Sequence, residues 1–265
     1  MVVLFPLRTS NLGGELLMKK LAQQLRRGFG FRFWLVALAS LVLVLIDYLQ
    51  PLLQIRQQGG YIPQGYHITL FSNALSADAL IAFLPVLATV PLAAGYLEDV
   101  KSKFVRFLLV RGSYGKYLTG QMFVCWLYGG LAVVLGVGMA YGPTFLLLTP
   151  VEQVVTNYTP ANVHIGEQIA LLFLNGGLWA ILGMTLSTLM ESKYIAYASP
   201  FIVYYLLVIL YERYFPSAWL LYPKNWLDPE IWPYGIGSAA LFLLELTFLC
   251  GLVFYVRGKR RLEQL

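Results

Sequence analysis

Apolar residues in this chain come in long, unbroken blocks. Runs such as Leu41-Val42-Leu43-Val44-Leu45-Ile46 do not alternate with polar residues, so they do not read as the roughly ten-residue alternating segments of a transmembrane barrel. A helix needs about 20 mostly apolar residues to cross the hydrocarbon core. Six stretches reach or approach that length: 33–53, 79–97, 117–141, 167–190, 195–211 and 235–256. The fifth is the shortest. Tyr194, Tyr197, Tyr211 and Tyr214 flank it, where their amphipathic rings hold it at two interfaces. The pattern predicts an all-α, polytopic membrane protein with six transmembrane helices in one domain, 1–265. Residues 1–32 would be an N-terminal segment, 33–256 the spans and 257–265 a tail. Residues 19–33 place Leu21, Leu25 and Phe29 on one helical side beside basic residues, which predicts a short interfacial helix ahead of the first span.

Composition strengthens this reading. Only 12% of residues are charged and 58% are hydrophobic, with a mean hydropathy of +0.67. Soluble domains carry about 25% charged residues, and so few charges cannot cover a water-facing surface. The net charge of +6 is explained by its placement. If the N-terminus is inside, all but three of the 19 Lys and Arg residues fall on the inner side, the exceptions being Arg56, Arg213 and Lys224. That asymmetry predicts cytoplasmic N- and C-termini, and it assigns the basic charge to lipid headgroups and not to nucleic acid. Asp78, Glu152, Glu167, Glu212, Asp228 and Glu230 lean to the other side. The Pro- and Trp-rich stretch 222–233 is expected to lie on the outer membrane surface. Translation is expected to begin at Met18, because Met18-Lys19-Lys20-Leu21 follows a Gly13-Gly14-Glu15 that a purine-rich ribosome-binding site would encode; the intact mass of the native protein checks this. The first span reads as a retained anchor, since its apolar run is too long for a signal peptide and lacks a small-residue cleavage site.

Several chemistries are missing. Cys125 and Cys250 both lie in apolar runs, so there is no disulfide framework. No G-x-x-x-x-G-K-[ST] occurs, so the chain has no phosphate cradle of its own. The two histidines, His67 and His164, form no H-E-x-x-H. A lipid-modifying enzyme would need clustered His, Asp or Ser at one interface. His67, Ser76 and Asp78 come nearest and lack any recognisable spacing. Ionisable groups inside a span cost about 2.5–3.5 kcal/mol on insertion scales and default to functional candidates. Asp47 and Glu245 qualify, with Glu245 expected to face protein or a watery cavity and Asp47 able to reach outer headgroup water. Asn175-Gly176-Gly177, Gly129-Gly130 and Gly136-Val137-Gly138 read as close helix packing, with Asn175 adding an amide hydrogen bond. Pro85 and Pro91 should kink or loosen the second span.

Residues 95–117 form the one long inner connection between spans. Glu98 and Asp99 suit a helix N-terminus. Phe104, Val105, Phe107 and Leu108 make an apolar side at helical spacing, and Arg111 and Gly112 supply stop signals. Such an amphipathic helix can insert its apolar ridge into a partner's groove. An acidic residue ends the second span, a short helix follows, and Leu108-Leu109-Val110-Arg111-Gly112-Ser113-Tyr114-Gly115-Lys116 looks like an L-x-x-[RP]-x-[SG]-type turn with a basic residue leading into the third span. With these features the chain resembles the permease subunit of an ABC-2-type ABC transporter. It departs from that pattern at the loop's start, Glu98-Asp99-Val100-Lys101-Ser102-Lys103, where members often carry Glu-Arg or Glu-Lys and then Ser-Gly-Thr.

The resemblance implies a multi-pass exporter subunit of a bacterial cell membrane that is not itself an enzyme. Two copies of a separate ABC ATPase would bind ATP and Mg, and a second permease subunit, identical or related, would complete the pathway. Coupling to the ATPase would fall to Glu98, Asp99, Lys101, Phe104, Phe107, Leu108 and Arg111. Asp47, Asn175 and Glu245 would be the polar groups of the pathway. The competing reading is a non-transporting immunity or sensor protein that docks a soluble partner through the same loop.

Overall fold

The computed structural model describes residues 28–58, 62–102, 114–153 and 164–264. These are almost entirely helical, and the only β-type pairing among them is an isolated bridge between Pro63 and Gln153. Among the described residues, five helices are long and apolar enough to cross a membrane. They are α1 (Phe31–Gln58), α5 (Tyr114–Leu148), α6 (Ile165–Met190), α7 (Lys193–Ile209, continued by a π-type turn over Leu210–Tyr214) and α8 (Ile236–Glu263). Among the described residues between α1 and α5 lie three shorter helices, α2 (Tyr66–Leu75), α3 (Asp78–Thr89) and α4 (Gly95–Lys101). α2 and α3 meet at a 54° bend, and counting that pair as one span brings the number to six.

Residues 79–97, expected as one continuous helix, are divided between α3 and α4. α3 stops at Thr89, the chain turns through residues 90–94, and α4 begins at Gly95. Pro91 has no N–H to donate, so Leu87 O loses its helical partner there. The local hydrogen bonds tighten accordingly, with Val90 N donating to Leu87 O (3.3 Å) and Gly95 N to Leu92 O (2.9 Å). Pro85, by contrast, sits inside α3 without ending it. This broken path still runs the length of the bundle. Asp78, at its start, pairs with Lys224 at one end, and Glu98, near its finish, pairs with Arg32 at the other.

α6 is the central post, packed against α5, α8, α7 and α3. Small residues let the backbones approach. A Cβ on Gly129 would lie 2.4 Å from Ala180 Cβ, one on Gly130 2.4 Å from Phe173 O, and one on Gly136 2.2 Å from Ala37 O. The first two contacts close the α5–α6 seam and the third closes α5 on α1. Gly138, expected to behave like Gly136, meets nothing within 4 Å.

The stretch 222–233 is packed against the bundle end. Three short 3₁₀ turns, Trp219–Leu221, Pro223–Leu227 and Pro229–Ile231, bury Trp226 and Trp232. Trp226 stacks on Trp179 of α6 with ring centroids 5.9 Å apart. Buried indole N–H groups need acceptors, and this segment supplies them from its own carbonyls. Trp226 Nε1 donates to Leu220 O (2.8 Å) and Trp232 Nε1 to Asn225 O (2.9 Å).

Candidate functional site: the cavity at the basic end

α4 is only seven residues long, too short to be stable by itself, so tertiary contacts must hold it. Its helical period turns Tyr96, Leu97 and Val100 inward, while Glu98 and Lys101 are exposed and Asp99 is half-buried. Tyr96 packs edge-on against Phe254 (5.0 Å) and donates its hydroxyl to Gly258 O (3.3 Å), which ties α4 to α8. Tyr117 OH donates to Asp99 Oδ2 (3.0 Å), tying α4 to α5. Arg32 donates through both terminal nitrogens to Glu98 Oε1 (3.4 and 3.3 Å), tying α4 to the start of α1. The Arg32 and Glu98 side chains are about half exposed, so this pair contributes at most about 1 kcal/mol. Its role is geometric.

Between α1, the break at Pro91 and α5 lies a cavity of about 380 Å³ lined by Arg32, Pro91, Gly95, Glu98, Asp99 and Gln121. Gly95 permits it. A Cβ there would stand 3.1 Å from Gln121 Nε2. α4 thus follows the break at 90–94 and is hydrogen-bonded to α1, α5 and α8. Among the described residues, no group of three or more His, Cys, Asp or Glu is placed to hold a metal ion.

Of the residues singled out from the sequence, Glu98, Asp99 and Lys101 fall together on α4. Phe104, Phe107, Leu108 and Arg111 lie outside the described residues, as does most of the interfacial helix expected over 19–33. The intramembrane polar groups are not brought together. Asp47 is half-buried on α1, close enough to Asp78 to feel its charge. Asn175 is buried in α6, but its Oδ1 accepts no hydrogen bond from the described residues. Glu245, expected to face protein or a watery cavity, is exposed on the outer face of α8. That face is turned away from α5 and α6, which already cover the opposite side of the helix.

Sequence reasoning missed Arg32, Tyr96, Tyr117 and Gln121 as parts of the site. Arg32 carried a signal, being the last cation before the first span. It also missed a polar clasp at the other end. Glu152, just beyond α5, accepts from Gly65 N (2.9 Å), His67 N (2.9 Å) and His67 Nδ1 (2.8 Å). Burial alone would push its carboxyl up, but the two amides and the imidazole outweigh that and hold it below the ordinary range. No protein-family model matches the chain, and no curated protein matches it either.

Proposed function

We propose that this chain is the membrane-spanning permease subunit of an ATP-driven, ABC-2-type exporter of a bacterial plasma membrane. It would work with a second permease subunit and with two copies of a separate ATPase that bind ATP and Mg. The observation that carries the reading is the lever: the helix at the mouth of the long connection 102–114 is bonded to α1, α5 and α8 and follows a proline break. A motor pushing there moves three spans without unfolding any of them. The excess of Lys and Arg at the same end supports a cytoplasmic position for it, where a nucleotide-hydrolysing partner would be. The apolar ridge of Phe104, Phe107 and Leu108 would enter the ATPase's groove, with Lys101 and Arg111 at its rim, while Glu98 and Asp99 pass the displacement inward.

Gentle detergent extraction from the native membrane tests this. A Walker-type ATPase should copurify with the chain. Phe104→Asp should reduce its recovery roughly tenfold, the usual effect of losing one interface anchor, without lowering the melting temperature of the permease. Glu98→Ala should keep the ATPase bound while its hydrolysis no longer drives transport. Recovery of the chain with no ATPase, or with equal ATPase after Phe104→Asp, would overturn the assignment.

A further inference from the structure

Glu245 stands near the middle of the apolar part of α8, and it points the wrong way for a monomer in lipid. The inward side of α8, with Ala239, Leu243, Gly251 and Phe254, is buried. Gly251 lies so close to α5 that a Cβ there would meet Met122 Cε at 2.3 Å. Glu245 lies on the other side with Leu241, Leu244, Phe248 and Leu252, all exposed. Among the described residues it has no hydrogen bond or ion pair. From mid-span the interface is about 15 Å away, beyond the reach of a glutamate side chain, so snorkelling is closed to it. Lipid tails offer neither a donor nor an acceptor, and ionisable groups within spans almost always face a bundle interior or water. The bundle described above is therefore incomplete along α8.

We propose that this face of α8 is the contact with a second copy of the same chain, in which the two Glu245 carboxyls meet across a twofold axis along the membrane normal. Two copies inserted with the same topology present equal-depth residues to each other across such an axis, so Glu245 must find Glu245. A carboxyl is one of the few groups that suits this arrangement. When protonated it both donates and accepts, so a pair satisfies itself with no buried net charge. Leu241, Leu244, Phe248 and Leu252 recur at spacings of three and four, the pattern of a knobs-into-holes seam. Gly237, on the same face with nothing within 4 Å of a Cβ, leaves room for close approach at one end. The inference requires the chain to span a membrane but not to couple to an ATPase, so either proposal can fail alone.

The test uses the full chain in native membranes, with Cys125 and Cys250 replaced by alanine. Single cysteines at Leu241 or Phe248, with Glu245 intact, should form disulfide-linked homodimers on mild oxidation. A cysteine at Ile202, exposed on α7, should not. In lipid vesicles containing the purified chain, Glu245→Gln should keep the dimer, since a carboxamide is also donor and acceptor. Glu245→Leu should weaken it at least tenfold while leaving the monomer's melting temperature unchanged. Crosslinking at 202 in place of 241 and 248, crosslinks only to a different protein, or a dimer indifferent to Glu245→Leu would each overturn the proposal.

Discussion

At the scale of single residues, charge in this protein is held by geometry more than by ion pairing. Arg32 and Glu98 meet in the open, whereas only 4% of the Glu152 side chain is exposed and it accepts three hydrogen bonds from one short stretch of backbone and one imidazole. Hydrogen bonds to a charged acceptor are worth about 1.5–3 kcal/mol, and losing this one also strands amides at the start of α2. Glu152→Gln should therefore destabilise the detergent-solubilised protein by about 2 kcal/mol, read from thermal melts near neutral pH. The acid side gives a sharper check. Because the folded carboxyl binds its proton more weakly than the unfolded one, its contribution is full above 4.5, the ordinary value. It is lost as the pH falls through the lower, folded value. The wild-type melting temperature should show this acid loss, and Glu152→Gln should lack that part of it. Equal acid profiles would mean that the clasp carries no linkage.

At the scale of elements, the helices are held by what their glycines allow. Gly136→Val would drive a branched side chain into the Ala37 carbonyl of α1 and should cost about 1–3 kcal/mol. Gly138→Ala, two residues on and facing open space, should be neutral or stabilise by up to about 1 kcal/mol. Melting curves of the two variants separate a packing seam from mere helix propensity. From sequence, both glycines looked the same. Block length fixed where α1, α5, α6, α7 and α8 run, because crossing length depends on composition along one dimension. The directions in which side chains point are set by neighbours, and block length says nothing of them. That is why block length cannot tell Gly138 from Gly136, and why it does not say which side of α8 Glu245 takes. α2 escaped notice because it is half a crossing long and His67, Ser72 and Asn73 interrupt it, although Leu70, Phe71, Ala74 and Leu75 already carry a helical spacing. Pro91 was visible as a weak point. The approach of Gln121 to Gly95 beside it, 3.1 Å from where a Cβ would stand, joins residues that are close only in space. The lever was legible in Glu98 and Asp99, while its partners Tyr117 and Tyr96 looked like ordinary interface tyrosines.

At the scale of the whole molecule, the two ends are built differently, and the difference carries the question of which way the protein faces. One end carries Arg32, Lys101, Lys116, Lys193 and the Arg257–Arg261 stretch, with Arg32 lining the α4 cavity and Arg261 paired with Glu191. The other is closed by indoles and by the His67–Glu152 clasp, with Lys224 as one of its few cations. Positive charge is retained on the cytoplasmic side during insertion, so the α4 end should be inside. Counting the bent pair as a crossing makes six, which would put the basic ends of α1 and α8 both on that side. Single cysteines in a background without Cys125 and Cys250 decide it. Ser217→Cys and Tyr234→Cys, both at exposed positions of the indole end, should react with a membrane-impermeant maleimide on intact cells. Ser102→Cys and Lys259→Cys should react only after permeabilisation. Full reversal would turn the lever outward, beyond the reach of any ATP-driven motor, and would remove the coupling proposal while leaving the α8 contact standing. Phe31→Cys, at an exposed position at the start of α1, reacting from the side opposite to Ser102→Cys and Lys259→Cys would mean that the broken path through Pro91 does not cross, and that five spans carry the fold.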